Sequence, residues 1–203
     1  MAYYPIAIDL TDKPCLIVGG GEVALRKAQA LLEAGARVTV IAPEVIPELA
    51  GLGVNIVTRP YEAGDAEGHA LVFAATGDRA TNAAISSEAA AACVPVNVVD
   101  DPELCTFIVP SVVRRGDLIL AVTTSGKSPA LSKKIRREIE SKYGPEYAEL
   151  VDLMGKLRDE VKANYASQDE REAVFSRLLD SGILELLRDG KHNEALERAR
   201  QCI

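Results

Sequence analysis

Short apolar runs alternate with segments of helical periodicity along the first hundred residues of the chain. The apolar runs are rich in branched side chains and predict five strands, at Cys15–Val18, Arg37–Ile41, Asn55–Thr58, Ala70–Ala75 and Pro95–Val99. Apolar residues one helical turn apart predict the two longer helices between them, Val23–Ala34 and Arg79–Cys93. Continuous apolar strands separated by helices are typical of a parallel sheet that is covered on both faces. The pattern therefore predicts a doubly wound α/β domain.

A different pattern begins after about residue 105. The segment TFIVPSVVRRGDLILAVTT contains two apolar runs around an Arg-Gly-Asp turn and predicts a β-hairpin. Residues 128–143 predict an amphipathic basic helix, and the chain beyond Gly144-Pro145 has a helical pattern with breaks near Ser167, Gly182 and Gly190. The predicted organisation is a nucleotide-binding domain at 1–110, a hairpin-helix segment at 111–144 and a helical module at 145–203.

Three consecutive glycines separate the first strand from the first helix, in the stretch LIVGGGEVALRK. Gly19-x-Gly21-x-x-Ala24 matches the dinucleotide-binding pattern, in which the first glycine makes a tight turn and the second lets a pyrophosphate approach the backbone. The small third residue packs the helix against the strand, and the helix N-terminus attracts the anion. The alternative is a merely tight strand-to-helix turn. The position of the motif favours a Rossmann-like dinucleotide site.

Two further strand ends bear on the cofactor. The second strand ends VIAPE, so Glu44 lies slightly later than the usual ribose-binding acid. This strand end has no arginine to bind a 2′-phosphate, which favours NAD over NADP. The fourth strand is followed by Thr76, Gly77 and Asp78. Because open α/β sheets bind ligands outside the carboxyl ends of their strands, Thr76 is a candidate cofactor contact.

Two adjacent aspartates follow the fifth strand, in NVVDDPE. Aspartates before a proline are common in turns, and Asp101 suits that structural role. Asp100 lies nearer the strand end and is the better candidate for chemistry.

Composition and charge exclude several classes of function. The 203 residues carry a net charge of −7, which disfavours nucleic acid as the main partner. No apolar run approaches the ~20 residues that span a bilayer, and the first residues lack the features of a secretory signal. Four cysteines without C-x-x-C spacing and two distant histidines predict neither a disulfide framework nor a metal cluster. We expect a reduced, cytoplasmic protein with no membrane partner.

The sign of the charge reverses locally between Arg114 and Arg137, where seven basic residues face one acid, Asp117. A solvated helix face would explain this pattern. However, TTSGKSP before the helix offers hydroxyls, backbone amides and a lysine, as an anion site would. The segment is consistent with a polycarboxylated substrate, and its candidate substrate-binding residues are Arg114, Thr124, Ser125 and Lys127.

Three stretches together carry a resemblance to a known family: LIVGGGEVALRKAQALLEAGARVTVIAPE, FAATGDRATN and VPVNVVDDPELCTFIVPSVVRRGDLILAVTTSGKSPALSKKIRREIE. The chain resembles the siroheme synthase family, and in particular its precorrin-2 dehydrogenase module, over essentially residues 1–145. The resemblance implies NAD-dependent oxidation of precorrin-2 to sirohydrochlorin on the route to siroheme. Some members also insert ferrous iron, so this activity is an open alternative. The family also implies a homodimer built through the hairpin-helix segment.

The resemblance assigns roles to individual residues. The essential aspartate of the family corresponds to Asp100, and its NAD contacts correspond to Gly19, Gly21, Glu22, Val23, Pro43 and Glu44. A serine that is phosphorylated in some members corresponds to Thr124, with Ser125 adjacent. No dedicated metal site is implied. A chain of 203 residues has no room for the fused methyltransferase half, so we expect no methylation of uroporphyrinogen.

Two other functions fit the glycine loop. One is a regulatory module that binds NAD and senses a ligand without chemistry; the long segment TFIVPSVVRRGDLILAVTTSGKSP argues against it. The other is an NAD-dependent dehydrogenase of a different small substrate, which failure to bind a tetrapyrrole would favour.

Overall fold

The computed structural model describes residues 3–203 as two compact units, the first ending at Val109 and the second spanning Pro110–Ile203. The first two residues of the predicted nucleotide-binding domain lie outside the described residues. The strands of the first unit are β1 (Pro14–Val18), β2 (Arg37–Ile41), β3 (Asn55–Val57), β4 (Leu71–Ala74) and β5 (Val96–Val98). Its helices are α1 (Glu22–Glu33), α2 (Pro47–Ala50) and α3 (Arg79–Ala91), and a 3₁₀ turn follows β5 at Pro102–Leu104.

The five strands form a parallel sheet in the order β3-β2-β1-β4-β5. Its central strand, β1, is apolar on both faces, because helices cover both sides of the sheet. Ile17 packs with Ala24 of α1 on one face, and Leu16 packs with Ile85 of α3 on the other. The strand order reverses between β1 and β4, and such a reversal opens a crevice at the carboxyl ends of the strands. This arrangement confirms the predicted Rossmann-like, doubly wound fold.

The second unit begins with an antiparallel hairpin and continues as helices. The hairpin pairs β6 (Ser111–Arg115) with β7 (Leu118–Val122). The helices are α4 (Pro129–Lys142), α5 (Glu146–Asn164), α6 (Gln168–Asp180), α7 (Ile183–Arg188) and α8 (His192–Gln201). Helices α5 to α8 share a core that includes Leu150, Val161, Val174, Leu178 and Ile183. No helix within residues 3–203 is both long and apolar enough to cross a membrane.

Local chemistry explains where these helices begin and end. Ser167 starts α6 with a capping box, since its hydroxyl accepts from the Glu170 N–H at 3.2 Å and the Glu170 carboxylate accepts from the Ser167 N–H at 3.0 Å. Gly182 and Gly190 have φ angles of +79° and +73°, a left-handed conformation that favours glycine. The helix breaks predicted from the sequence lie at these positions.

Candidate active site

The glycine loop between β1 and α1 uses its three glycines in different ways. Gly19 has a φ of +126° and its N–H donates to the Ile41 carbonyl at 2.9 Å. A Cβ atom at Gly19 would collide with the Ala75 carbonyl, and one at Gly20 would collide with the Glu44 carbonyl. A Cβ atom at Gly21 would meet nothing within 4 Å. The fold itself therefore requires the first two glycines, whereas the third borders open space.

That open space lies at the start of α1. Glu22 is the first helical residue, and the first backbone bond of the helix runs from the Leu25 N–H to the Gly21 carbonyl at 3.0 Å. The amides of the first turn consequently have no partner within the helix. Gly21 has no side chain that could cap them, so they are available to an anion. The geometry fits the pyrophosphate of a dinucleotide.

A cavity of about 550 Å³, here called the cofactor cavity, extends from this loop. Of the residues predicted to contact NAD, it is lined by Gly19, Gly21, Pro43, Glu44 and Thr76. Among the described residues that line it, none is an arginine or a lysine. The Ile46 N–H donates to the Gly20 carbonyl at 2.9 Å, which ties the turn that carries Glu44 to the glycine loop.

A second cavity, of about 900 Å³, adjoins the first and is here called the Asp100 cavity. It is lined by the end of β5 and by residues that follow β4 and β5, together with Val23 of α1 and Arg79 and Asn82 of α3. Ala75, Thr76 and Gly77 line both cavities. These three residues therefore form a shared wall at the carboxyl end of β4, where the strand order reverses.

Asn82 holds the shared wall in place. Its buried amide donates to the Thr76 carbonyl at 3.1 Å and accepts from the Thr76 hydroxyl at 2.7 Å. The sequence analysis missed this residue; its signal is a polar side chain on the buried face of the α3 pattern. Because the Thr76 hydroxyl is hydrogen-bonded to Asn82, the Thr76 side chain is held in a fixed position in the wall of the cofactor cavity.

Asp78 begins α3 as its N-cap. Its carboxylate accepts from the Ala80 N–H at 3.3 Å, from the Thr81 N–H at 2.9 Å and from the Thr81 hydroxyl. These hydrogen bonds, the one from the Thr81 hydroxyl foremost, lower the pKa of Asp78. This carboxylate at the cavity edge therefore has a structural role.

The two aspartates after β5 differ in their surroundings. Asp101 forms an ion pair with Arg79 at 3.3 Å, and its carbonyl accepts from the Leu104 N–H at 3.2 Å. The Asp100 carboxylate is exposed in the cavity and has no hydrogen bond or ion pair with another of the residues described. Asp100 also has a φ of +60°, which is uncommon outside glycine but tolerated by aspartate. The uncommitted carboxylate is therefore that of Asp100.

The predicted substrate-binding residues belong to the second unit. Arg114 is exposed on β6, and Thr124, Ser125 and Lys127 lie in the turn between β7 and α4. The Thr124 hydroxyl accepts from the Ser128 N–H at 2.9 Å and from the Ser132 hydroxyl at 3.2 Å, so it stabilises this turn. Ser125 and Lys127 are exposed.

Part of the basic segment serves the fold. Arg115 donates to the Tyr143 and Glu140 carbonyls at the end of α4, at 2.9 and 3.3 Å. Arg136 forms an ion pair with Glu140 at 2.7 Å. Arg114 and Lys127 have no acidic partner among the described residues, so their charges are available to an anion.

Metal-ligating groups do not cluster in this structure. Within residues 3–203, no three side chains of His, Cys, Asp or Glu are placed to hold a metal ion. All four cysteines are free thiols.

Family comparisons cover most of the chain in three consecutive segments. Residues 6–111 match an NAD(P)-binding family, residues 115–142 match the central region of sirohaem biosynthesis proteins, and residues 146–203 match the sirohaem synthase dimerisation region.

Individual relatives carry the same pattern. The chain is 44% identical to siroheme synthase from Methylococcus capsulatus over 199 residues, which is 96% of this chain and 42% of that protein. It is 42% identical to siroheme synthase from Pseudomonas putida, covering 100% of this chain and 44% of that protein. The chain thus spans less than half the length of these relatives. The solved structure of SirC, a precorrin-2 dehydrogenase, superposes with a TM-score of 0.77 at 25% identity, covering 98% of this chain and 100% of that one.

Proposed function

We propose that this chain, which belongs to the siroheme synthase family, oxidises precorrin-2 to sirohydrochlorin with NAD+ as the hydride acceptor. The predicted family and the predicted Rossmann-like, NAD-binding fold are confirmed by the comparisons. The substrate and the reaction are inferred for this chain from relatives, one of which is a precorrin-2 dehydrogenase matched along its whole length.

The shared wall is the observation that carries the proposal. A dehydrogenase must hold its substrate against its hydride acceptor, since proximity and orientation supply much of the rate enhancement. The cofactor cavity and the Asp100 cavity meet at Ala75, Thr76 and Gly77. A hydride acceptor bound by the glycine loop and a substrate bound beside Asp100 would therefore be neighbours.

The residues of the cofactor cavity fit NAD+. The open amides at Glu22 and Val23 would bind the pyrophosphate, and Glu44 would accept hydrogen bonds from the ribose. NAD+ supplies the hydride acceptor of the reaction. Because the described cavity lining contains no basic side chain for a 2′-phosphate, we propose a preference for NAD over NADP.

Asp100 is the proposed catalytic residue. Oxidation of the partly reduced macrocycle removes a proton as well as a hydride, and a carboxylate can take that proton or orient the pyrrole N–H groups. Asp100 suits the task because its carboxylate is not engaged by the surrounding described residues, whereas Asp101 is paired with Arg79.

The second unit would contribute substrate contacts and a subunit interface. Arg114 and Lys127 are proposed to bind carboxylates of the tetrapyrrole, together with Thr124 and Ser125. Val112 and Ile119 are exposed on the hairpin, at 38% and 46%. The family resemblance implies a homodimer interface in the hairpin-helix segment, whereas the match to the sirohaem synthase dimerisation region covers residues 146–203. We therefore propose an interface that uses both parts of this unit.

The direct test mixes the purified chain with precorrin-2 and NAD+ without oxygen. We expect NADH and sirohydrochlorin to form together in equal amounts. Binding of NAD+ without turnover would instead support the regulatory module. Turnover of another reduced substrate, but not of precorrin-2, would support a different dehydrogenase.

Iron insertion is the second candidate activity, and the free carboxylate of Asp100 favours it. Insertion of Fe²⁺ requires removal of protons from the ring nitrogens, which a base can accept. Anaerobic incubation with sirohydrochlorin and Fe²⁺, compared with a sample without protein, measures it. Siroheme that forms no faster than in that control would confine the chain to the oxidation step.

A further inference from the structure

Lys27 of α1 is a half-buried amine without an acidic partner. Its Nζ lies 5.2 Å from the centre of the Phe73 ring. It has no hydrogen bond or ion pair with any of the residues that the structure describes. The neighbouring basic residue, Arg26, is exposed. Lys27 is therefore a partly desolvated charge held against an aromatic face.

Lys27 does not itself line the Asp100 cavity, but two of its neighbours bring it close to residues that do. Val23 lines that cavity, and residues four positions apart on a helix lie on the same face. On the other side, its ring partner Phe73 lies two residues before Ala75, which also lines the cavity.

This placement is unfavourable for the protein alone. Burial lowers the pKa of the Lys27 ammonium, because the charged form loses hydration, and the positive charge of Arg26 adds to the effect. A buried charge is normally compensated by a counter-ion, and here the described residues offer only the Phe73 ring. A ligand that brought a negative charge would compensate it.

The Asp100 cavity has an excess of negative charge, so an anionic ligand needs additional positive charge nearby. Its lining includes three carboxylates, Asp100, Asp101 and Glu103, and one arginine, Arg79, which is already paired with Asp101. A polycarboxylated ligand would be repelled by this lining unless further cations faced it. Lys27, four residues from the lining residue Val23 on the same helix, can supply such a charge.

We propose that Lys27 binds a carboxylate of the tetrapyrrole at the margin of the Asp100 cavity. The proposal rests on the proposed function and adds a substrate contact in the first unit, apart from the basic turn of the second. The contact is a charge-assisted hydrogen bond from the ammonium, which Phe73 holds in position. Lys27 acts in binding and takes no part in proton transfer.

A purely structural role for Lys27 makes the opposite prediction for stability. If the ammonium served only to pack on Phe73, its replacement by methionine would lower the melting temperature. If it is kept for a ligand, methionine of similar length removes a desolvated charge, and the melting temperature stays the same or rises.

The experiment compares Lys27→Met with Arg26→Met, which removes the same charge from the exposed neighbouring position. Sirohydrochlorin is titrated into each protein and its binding is followed by fluorescence, and NAD+ affinity and thermal unfolding are measured in parallel. We expect Lys27→Met to weaken sirohydrochlorin binding by roughly tenfold or more, with NAD+ affinity and melting temperature retained. Arg26→Met should bind like the wild type, and Lys27→Arg should retain most of the affinity, because it keeps a cation over the Phe73 ring.

The possible results separate this proposal from the function on which it rests. Wild-type protein that binds sirohydrochlorin while Lys27→Met binds it equally well would overturn the role of Lys27 alone. A lower melting temperature with parallel losses of sirohydrochlorin and NAD+ would also overturn it, in favour of packing. Wild-type protein that does not bind sirohydrochlorin would contradict the proposed function itself.

Discussion

The cofactor cavity and the Asp100 cavity share Ala75, Thr76 and Gly77, but their other walls are of different kinds. The first is lined by the glycine loop and the ends of β1 and β2, together with Pro60, Tyr61, Asp78 and Thr81, and none of these described residues is basic. The second is lined by three carboxylates and an arginine. In the cofactor cavity, the main binding groups are backbone amides of the glycine loop. In the Asp100 cavity, they are charged side chains, and only those without a partner in the protein are available to a ligand.

The comparison separates two kinds of functional requirement. In the cofactor cavity, a side chain does harm mainly by occupying space that belongs to the ligand. In the Asp100 cavity, the effect of a substitution depends on whether the original side chain was free to contact the ligand. Substitutions in the two cavities should therefore fail in distinguishable ways.

The largest effect is expected at Asp100. Asp100→Asn should lower the turnover of precorrin-2 by about 10²–10⁴-fold, because the base is lost, while NAD+ binding changes little. Asparagine is preferable to alanine here, since it tolerates the φ of +60° at this position. Single-turnover measurements of NADH formation determine the rate.

Asp101→Asn is the matched control, because it also removes one carboxylate from the cavity lining. It breaks the partly exposed pair with Arg79, and most of the activity should be retained. Equal losses in the two variants would mean that Asp100 has no special role.

The next largest effect is expected in the cofactor cavity. Gly21→Asp places a carboxylate in the open space before α1, where it repels a pyrophosphate, and should weaken NAD+ binding at least ~100-fold. Calorimetry measures the affinity. Gly155→Asp in α5 adds the same charge where a Cβ atom also meets nothing within 4 Å, and should leave binding intact. Unchanged NAD+ affinity in Gly21→Asp would refute the assignment of the loop.

A smaller effect, on stability, distinguishes two adjacent glycines. Gly20→Ala should lower the free energy of unfolding by about 1–3 kcal/mol, because its methyl group would overlap the Glu44 carbonyl. Gly21→Ala should stay within about 0.5 kcal/mol of the wild type. Urea denaturation measures both, and equal stabilities would show that the contact at Gly20 is not tight.

The smallest effect is expected at the exposed cap of α3. The pKa of Asp78 is lowered in the folded protein, mainly by the Thr81 hydroxyl, so the cap stabilises the fold while the carboxylate is ionised. That contribution is present above the ordinary pKa range of aspartate and is lost as the pH falls through the lowered value. The advantage in stability of the wild type over Asp78→Ala should therefore shrink in acid. If the difference in stability between the wild type and Asp78→Ala did not change with pH, the ionised carboxylate would not be its cause.

The features that could be predicted from the sequence are those that depend on residues close together along the chain. The strands follow from apolar runs, and the glycine loop follows from the spacing of Gly19, Gly21 and Ala24. The preference for Asp100 over Asp101 rests on its distance to the strand end and stays a prediction.

What the sequence did not predict depends on contacts between segments that are distant in the chain. Gly20 is required by a carbonyl at residue 44, and Lys27 lies over a ring on β4. Distances through space of this kind are decided by packing, so no local pattern indicates them.

The contact between Gly20 and the turn at Glu44 affects both the rate and the entropy of dinucleotide binding. The loop that would receive the pyrophosphate and the turn that would receive the ribose already touch, and the Ile46 N–H joins them at 2.9 Å. The binding sites for the pyrophosphate and for the ribose are therefore already in place before the dinucleotide binds. Little chain entropy is lost on association, and the cofactor should bind in a single kinetic step without a slow rearrangement.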